Sequence, residues 1–159
     1  LHEMPAAKLT DLLIPYWQEA GYAFDAEGDR PWLEQVSALI GASLSRLDEA
    51  VPMTRYLFDP EMQFSEAAVT QLRQEGTAAA LQGVLAALSE HIELGEASAQ
   101  EMIKQVVKAE NLKKGLVMRS LRAALTTDMQ GPDLIQSWLL LHQHNLDQLR
   151  LKSALSLTA

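Results

Sequence analysis

Apolar residues recur three and four positions apart along almost the whole chain, and this spacing limits the fold more than any other feature of the sequence. Residues at these intervals share one face of an α-helix, whereas a half-buried strand alternates apolar and polar residues. Hardly any stretch shows that alternation. The sequence therefore predicts an all-α protein, and a hydrophobic content of 48% is enough to bury a core.

The helical spacing separates into two groups at Gly76, which predicts two small helical subdomains, residues 1–75 and 76–159. Glycine, proline and capping residues set the expected helix ends. In the first subdomain we expect helices over residues 9–20, 29–47, 53–58 and 65–74. In the second we expect helices over residues 77–94, 98–111, 116–125, 132–141 and 146–151.

Four local signals refine these helices. Pro15 is expected to kink the first helix, and Pro52 to end the second, because proline lacks a backbone N–H. Ser98 followed by Glu101 predicts a capping box. Pro132 is placed for the first turn of a helix, where its missing N–H costs nothing.

The charge is unevenly distributed. A net charge of -8 would argue against a nucleic-acid binder, but residues 1–101 hold 5 basic and 17 acidic side chains, whereas residues 102–122 hold six basic side chains and one acidic. We call these six the basic strip: Lys104, Lys108, Lys113, Lys114, Arg119 and Arg122. A positive strip on an acidic body suits local contact with a polyanion, and the alternative is the solvated face of two ordinary helices.

Few residues are arranged for catalysis. The sequence has no cysteine, no glycine-rich phosphate loop and no Gly-x-Ser-x-Gly elbow, and its carboxylates are scattered. His142 and His144 point to nearly opposite faces of a helix, so we expect two surface histidines rather than a metal pair. Neither a catalytic nor a metal site is predicted. Three tryptophans are expected in the core: Trp17, Trp32 and Trp138.

Purely apolar runs such as Leu12–Ile14 and Trp138–Leu141 are far shorter than the roughly 18 residues of a membrane-spanning helix. No secretory signal is visible at the start. We therefore expect a soluble, cytoplasmic protein that binds no membrane, and a monomer. Because the sequence starts at Leu1 rather than at a methionine, we expect a piece of a longer protein.

The most informative stretch runs from Lys113 to Thr126 and reads KKGLVMRSLRAALT; it is followed by GPDL at residues 131–134 and LLL at 139–141. It resembles the carboxy-terminal anticodon-binding region of bacterial-type glutamyl-tRNA synthetases, where a Leu-Arg-x-Ala-Leu-Thr helix precedes Gly-Pro-Asp-Leu and a Leu-Leu pair. Weaker similarities reach back to residues 19–22. Two positions depart from the family, which usually has Pro where Ser120 stands and Gly where Thr127 stands.

The resemblance implies a pair of all-helical subdomains that form a curved cage around a tRNA anticodon loop. In that family a separate catalytic domain attaches glutamate to tRNA with ATP and Mg, so the resemblance implies a tRNA-reading module that holds no cofactor itself. The family residues that hold the first anticodon base fall on Arg122, Gly131, Pro132 and Leu134.

The remaining basic residues then have a role in the same interface. Arg119 lies one helical turn before Arg122 and suits either base or backbone contact. Four lysines are expected to contact the RNA backbone, which adds affinity without sequence information: Lys104, Lys108, Lys113 and Lys114.

Gly41 interrupts a good helical stripe, at a cost of about 1 kcal/mol relative to alanine, and close helix packing is one explanation. In family members that accept only glutamate tRNA, an arginine in this segment reads the third anticodon base. We place that position at Gly41, with Ser43 as the alternative. A residue without a side chain predicts a non-discriminating enzyme that also accepts glutamine tRNA.

Two other functions fit parts of the sequence. The chain could be an acidic helical adaptor whose basic strip binds a protein partner. It could also be a helix-turn-helix DNA reader that uses the 116–125 helix, although its acidic remainder would oppose a long duplex. The motif match favours the tRNA-binding module, with no DNA partner.

Overall fold

The computed structural model describes residues 2–90 and 93–158, which contain nine α-helices, two 3₁₀ turns and no strand. The predicted all-α class is confirmed. The chain forms two compact units: unit 1, Leu1–Met62, and unit 2, Gln63–Ala159. Within the described ranges no helix combines the length and apolarity needed to cross a bilayer.

Unit 1 consists of three helices around an aromatic core: α1 (Ala6–Glu19), α2 (Arg30–Ile40) and α3 (Ala50–Phe58). α1 packs against both other helices. Trp17 is fully buried, and its Nε1 donates to the Thr54 Oγ1 of α3 at 3.0 Å. Phe58 packs against Trp17, with ring centroids 5.3 Å apart. The predicted core positions of Trp17 and Trp32 are confirmed.

Two expected helix ends in unit 1 were wrong. α2 ends at Ile40 rather than Leu47, because the chain enters a 3₁₀ turn at Gly41–Ser43 and becomes extended at Leu44. Pro52 does not precede α3 but lies in its first turn, where a proline needs no N–H partner. α1 continues across Pro15.

Unit 2 consists of six helices: α4 (Glu66–Leu72), α5 (Thr77–Glu90), α6 (Glu96–Ala109), α7 (Lys114–Thr126), α8 (Leu134–Gln143) and α9 (Leu146–Leu155). α7 is central and packs against each of the other five. Its inward residues Val117, Leu121 and Leu125 are fully buried, as is Trp138 of α8, which confirms the third predicted core tryptophan.

The division between the units falls at residues 62 and 63, thirteen residues before the predicted boundary at 75 and 76. The reason is α4, which packs against α7 rather than joining unit 1. Ser65 N–H donates to the Thr127 carbonyl at 2.9 Å, at the end of α7. Residues 63–75 therefore belong to unit 2.

Helix starts in unit 2 also differ from expectation. α6 begins at Glu96 with Gly95 as its N-cap, so Ser98 bonds back to the Gly95 N–H at 2.8 Å and forms no capping box with Glu101. Pro132 precedes α8, whose N-cap is Asp133. The end of the predicted 77–94 helix includes residues 91 and 92, which lie outside the described ranges.

Candidate nucleic-acid interface

Arg122 projects from α7 towards the turn that precedes α8. Its Nη2 donates to the Pro132 carbonyl at 3.0 Å. Its Nη1 is buried and has no hydrogen-bond partner. A buried donor without an acceptor costs about 1–3 kcal/mol, more if it is charged, so an acceptor that reached Nη1 would be favoured.

The turn that contains Gly131 and Pro132 lies directly beside this guanidinium. Gly131 is exposed at φ +151°, and a Cβ built on it would lie 3.6 Å from Arg122 Nη1. Pro132 is half-buried. Leu134 is only 5% exposed. The structure therefore brings Arg122, Gly131 and Pro132 together, and it places Leu134 in the core.

The two positions that depart from the family pattern are both buried, Ser120 within α7 and Thr127 at its C-cap. Thr127 ends the helix in the left-handed conformation, φ 65°, which is strained for a β-branched residue. Its N–H donates to the Ala123 carbonyl at 3.1 Å, and its own carbonyl accepts from Ser65. Ser120 Oγ lies 3.1 Å from the Thr77 Oγ1 of α5. Each departure is therefore held by contacts within unit 2.

The lysines of the basic strip are exposed on α6 and around the start of α7. Lys104 and Lys108 lie one turn apart on α6, where they line a shallow groove. Lys113 is the N-cap of α7, and Lys114 is its first residue. Cations are disfavoured at a helix N-terminus because the helix dipole is positive there, so these two lysines do not stabilise α7.

Arg119 is exposed on the next turn of α7. Its Nη1 would lie 3.0 Å from a Cβ built on Gly115. It therefore lies along its own helix, towards the two N-terminal lysines. In the described part of the chain, none of the six cations of the basic strip forms a salt bridge.

Gly41 and Ser43 lie in the 3₁₀ turn of unit 1. Gly41 is buried, and a Cβ on it would be 3.4 Å from Leu9 Cδ2. Ser43 is exposed. Of the two positions considered for the third anticodon base, Ser43 is therefore the one that faces solvent.

Sequence reasoning missed a polar cluster that joins α8 to α9. The buried Asp147 carboxylate accepts from Trp138 Nε1 at 3.2 Å and lies 2.7 Å from His142 Nδ1. His142 is thus half-buried, and its expected surface position was wrong. The pairing depends on the turn between the two helices, which no local pattern predicts. No group of three or more metal-ligating side chains converges within residues 2–90 and 93–158.

The environment of α7 also bears on the alternative of DNA reading. Five helices of unit 2 enclose α7, and only the edge that carries Arg119 and the two lysines is open. A recognition helix must enter the major groove with a free face. The geometry therefore argues against the helix-turn-helix reading.

Comparison with known proteins defines the class. The sequence pattern of the family described as "Anticodon binding domain" matches residues 8–155. The chain therefore belongs to the anticodon binding domain family. More particularly, it is similar to glutamate–tRNA ligases: it is 56% identical over 156 residues to those of Nostoc punctiforme and Trichormus variabilis. These matches cover 98% of the chain and 32% of each relative, and they confirm the resemblance found from its motifs.

Solved structures agree on the fold. A glutamate tRNA ligase from Elizabethkingia meningosepticum, in complex with its amino acid, matches with a TM-score of 0.82 and 18% identity over 96% of this chain and 29% of that one. A glutamate–tRNA synthetase from Elizabethkingia anophelis matches with a TM-score of 0.78 and 17% identity, covering 98% of this chain and 29% of that one. Sequence identities this low support a shared fold and nothing further.

Proposed function

We propose that this chain is the anticodon-loop recognition module of a glutamate–tRNA ligase, and that it works in the cytoplasm as a monomeric protein. The observation that carries the proposal is the Arg122 guanidinium. Its Nη2 donates to the Pro132 carbonyl, and its Nη1 is buried without a partner beside Gly131. The chain spans about a third of its curated relatives, so the ligase activity belongs to the proposal.

RNA chemistry supports this assignment. Proteins read RNA sequence mostly in single-stranded loops, where unstacked bases offer their edges to side chains and backbone groups. A guanidinium supplies forked donors for a base acceptor, and the neighbouring Gly131 has no side chain that would stand between a base and Arg122. Arg122, Gly131 and Pro132 are therefore proposed to hold the first anticodon base. Leu134 would act from the core, by fixing the start of α8.

The basic strip supplies the second part of the interface. We propose that its four lysines contact phosphates, which positions the loop but carries no sequence information. Arg119 lies between the lysines and Arg122 in sequence and is free to contact either phosphate or base. The adaptor alternative requires the same cations to face acidic side chains of a protein partner.

The decisive experiment measures binding of anticodon stem-loops of glutamate tRNA that differ at the first anticodon base. Arg122→Ala should weaken binding of the preferred loop by about 1–3 kcal/mol and reduce the preference at that base. Arg55→Ala, which removes an exposed, ion-paired arginine of unit 1, is the matched control. An equal loss for all four loops would make Arg122 a phosphate contact, and no binding by the unaltered chain would favour the adaptor.

In the whole ligase, ATP and Mg would be used by a catalytic domain outside these 159 residues. We propose that this chain binds neither. The chain alone should then catalyse no ATP–pyrophosphate exchange. Exchange activity that remains when the chain is purified to homogeneity would contradict the module assignment.

We further propose that the parent ligase is non-discriminating and accepts glutamine tRNA as well. Neither Gly41 nor Ser43 carries the arginine that, by the family resemblance, reads the third anticodon base in ligases that accept only glutamate tRNA. Specificity often arises from a side chain that clashes with the wrong partner. Neither position carries a large side chain that would clash with the guanine of glutamine tRNA.

The structure changes how this idea is best tested. Because Gly41 is buried against Leu9, Gly41→Arg would disturb α1, whereas Ser43→Arg places the guanidinium in solvent. Ser43→Arg should weaken binding of the glutamine stem-loop far more than that of the glutamate stem-loop. Ser45→Arg adds the same charge at an exposed position two residues on. Wild-type rejection of the glutamine loop, or equal losses for both loops in Ser43→Arg, would defeat the proposal.

A further inference from the structure

We propose that Ser65 and Asp128 form a clamp that positions the turn at Gly131–Pro132 for reading the first anticodon base. The inference rests on the proposed function and extends it, because neither residue belongs to the motifs that suggested the base site. Both are positioning residues, which act through the turn rather than by touching RNA.

The clamp joins two points 63 residues apart in sequence. Ser65 Oγ–H donates to Asp128 Oδ1 at 3.0 Å, and Ser65 N–H donates to the Thr127 carbonyl at 2.9 Å. The same Asp128 oxygen accepts the Met129 N–H at 2.8 Å. Two hydrogen bonds thus join the first part of the turn to the start of α4, and the third holds the Asp128 side chain within the turn.

The Ser65 hydroxyl is used twice. Its oxygen caps α4 by accepting the Ala68 N–H at 3.1 Å, and this cap needs only an acceptor. Its proton is directed instead to Asp128. A helix cap alone would leave that donor to water, so the bond to Asp128 serves the turn and not α4.

The clamped segment is coupled directly to Arg122. Thr126 Oγ1 lies 2.7 Å from the Arg122 carbonyl and 2.9 Å from the Asp128 carbonyl. At the other end of the turn, the Pro132 carbonyl accepts from Arg122 Nη2. The guanidinium therefore has a fixed direction only if the chain between Asp128 and Pro132 is fixed. Thr127, strained at φ 65°, makes that requirement stronger, because a strained helix end persists only when its surroundings hold it.

Two variants of Asp128 separate positioning from charge. Asp128→Ala removes the acceptor and one negative charge, whereas Asp128→Asn removes the same charge but keeps an oxygen for both Ser65 and Met129. Removing a negative charge near RNA raises affinity for every loop alike, so the measured quantity is the ratio of dissociation constants between stem-loops of glutamate tRNA that differ at the first anticodon base. Ser98→Ala, which removes the hydroxyl bound to Gly95 at the start of α6, is a control for loss of a comparable exposed bond.

Asp128→Ala should reduce this ratio about threefold to tenfold, as expected for the loss of one or two hydrogen bonds that hold the turn. Asp128→Asn should retain the wild-type ratio, and so should Ser98→Ala. A ratio unchanged in Asp128→Ala, with or without a fall in Tm, would overturn the clamp. Equal loss in Asp128→Asn would also overturn it, because charge would then be the cause. If the unaltered chain shows no preference among the loops, it is the proposed function that fails.

Discussion

The two units treat their positive charges in opposite ways. Unit 1 has four basic and eleven acidic residues, and each of its three arginines forms a salt bridge within the unit: Arg30 with Asp11 and Glu34, Arg46 with Asp48, and Arg55 with Asp59. Unit 2 has nine basic and ten acidic residues. Among its described residues, the six cations of the basic strip have no acidic partner.

This difference shows why the net charge of the chain is a poor guide to its partner. A cation that is already paired offers little to a phosphate, since its field is cancelled at short range. Arg30 also donates to the Ala7 carbonyl at 2.7 Å, so it joins α2 to α1 as a structural residue. Unpaired cations, in contrast, keep their charge for a polyanion. On the proposed function, we therefore expect RNA to bind where the cations are unpaired, not wherever basic residues are present.

The largest effect should come from removing the lysines of the basic strip. Each phosphate contact to a single strand contributes about 0.7 to the salt slope, or roughly fivefold in affinity per decade of salt. Lowering the salt from 1 M to about 0.1 M should strengthen wild-type binding through these four contacts on the order of several-hundredfold. The variant with all four lysines replaced by serine should lose this gain and show a flatter salt slope. The measurement is binding across a salt series.

The control for that experiment comes from unit 1. The double variant Arg46→Ala, Arg55→Ala removes two exposed but paired arginines. It should leave both the affinity and the salt slope nearly unchanged. If it weakens binding as much per residue as the lysine replacements do, pairing does not separate the two units.

A smaller effect is expected at Asp147, where unit 2 does use a charge structurally. The carboxylate is 1% exposed and binds Trp138 Nε1, His142 Nδ1 and the Gln148 N–H. Asp147→Ala leaves the buried Trp138 N–H without a partner and should lower the free energy of unfolding by about 2–3 kcal/mol. Asp48→Ala, at an exposed ion pair, should cost at most about 1 kcal/mol. Chemical denaturation measures both, and equal losses would contradict the contrast.

The sequence predicted helix identity well and helix grouping less well. Periodic apolar residues and local caps decide whether a segment is helical, so each expected helix was found, within a few residues at most ends. The position of α4 could not be predicted this way. Its membership of unit 2 depends on contacts between Ser65 and residues 127 and 128, which are distant in sequence.

The same distinction between local signals and contacts distant in sequence applies to the candidate site. The motif around Arg122 and Gly131 identified residues that the fold brings together, because the helix and the following turn are close in sequence. It could not reveal that Gly41 faces Leu9 or that Asp128 is held by Ser65. Each of these depends on packing between helices.

The units can also be compared at the ends of their helices. After α1 the chain turns at Gly21, φ 83°, where a Cβ would meet nothing within 4 Å; after α7 it turns at Thr127, φ 65°. Gly21→Thr should therefore cost only backbone strain, about 1–2 kcal/mol of unfolding free energy. Thr127→Gly should recover less, because the buried threonine side chain is lost with the strain. If Gly21→Thr is as stable as the wild type, the end of α1 accepts a threonine in the left-handed conformation that Thr127 adopts at the end of α7.

The smallest effect concerns a negative charge that unit 1 uses locally. The backbone N–H groups of Arg46 and Ser45 donate to the Glu49 carboxylate at 2.7 and 2.8 Å, and these bonds lower the pKa of Glu49. A lowered pKa in the folded state stabilises the protein above the ordinary glutamate pKa, and this contribution is lost as the pH falls through the lowered value. Glu49→Gln should thus be less stable than the wild type at neutral pH, and the difference should close as the pH falls below the ordinary glutamate pKa. Glu19→Gln, at the exposed end of α1, neutralises a carboxylate that accepts no backbone N–H among the described residues and is the matched control. Denaturation midpoints across the pH range test this, and a difference that grows on acidification would have the wrong sign.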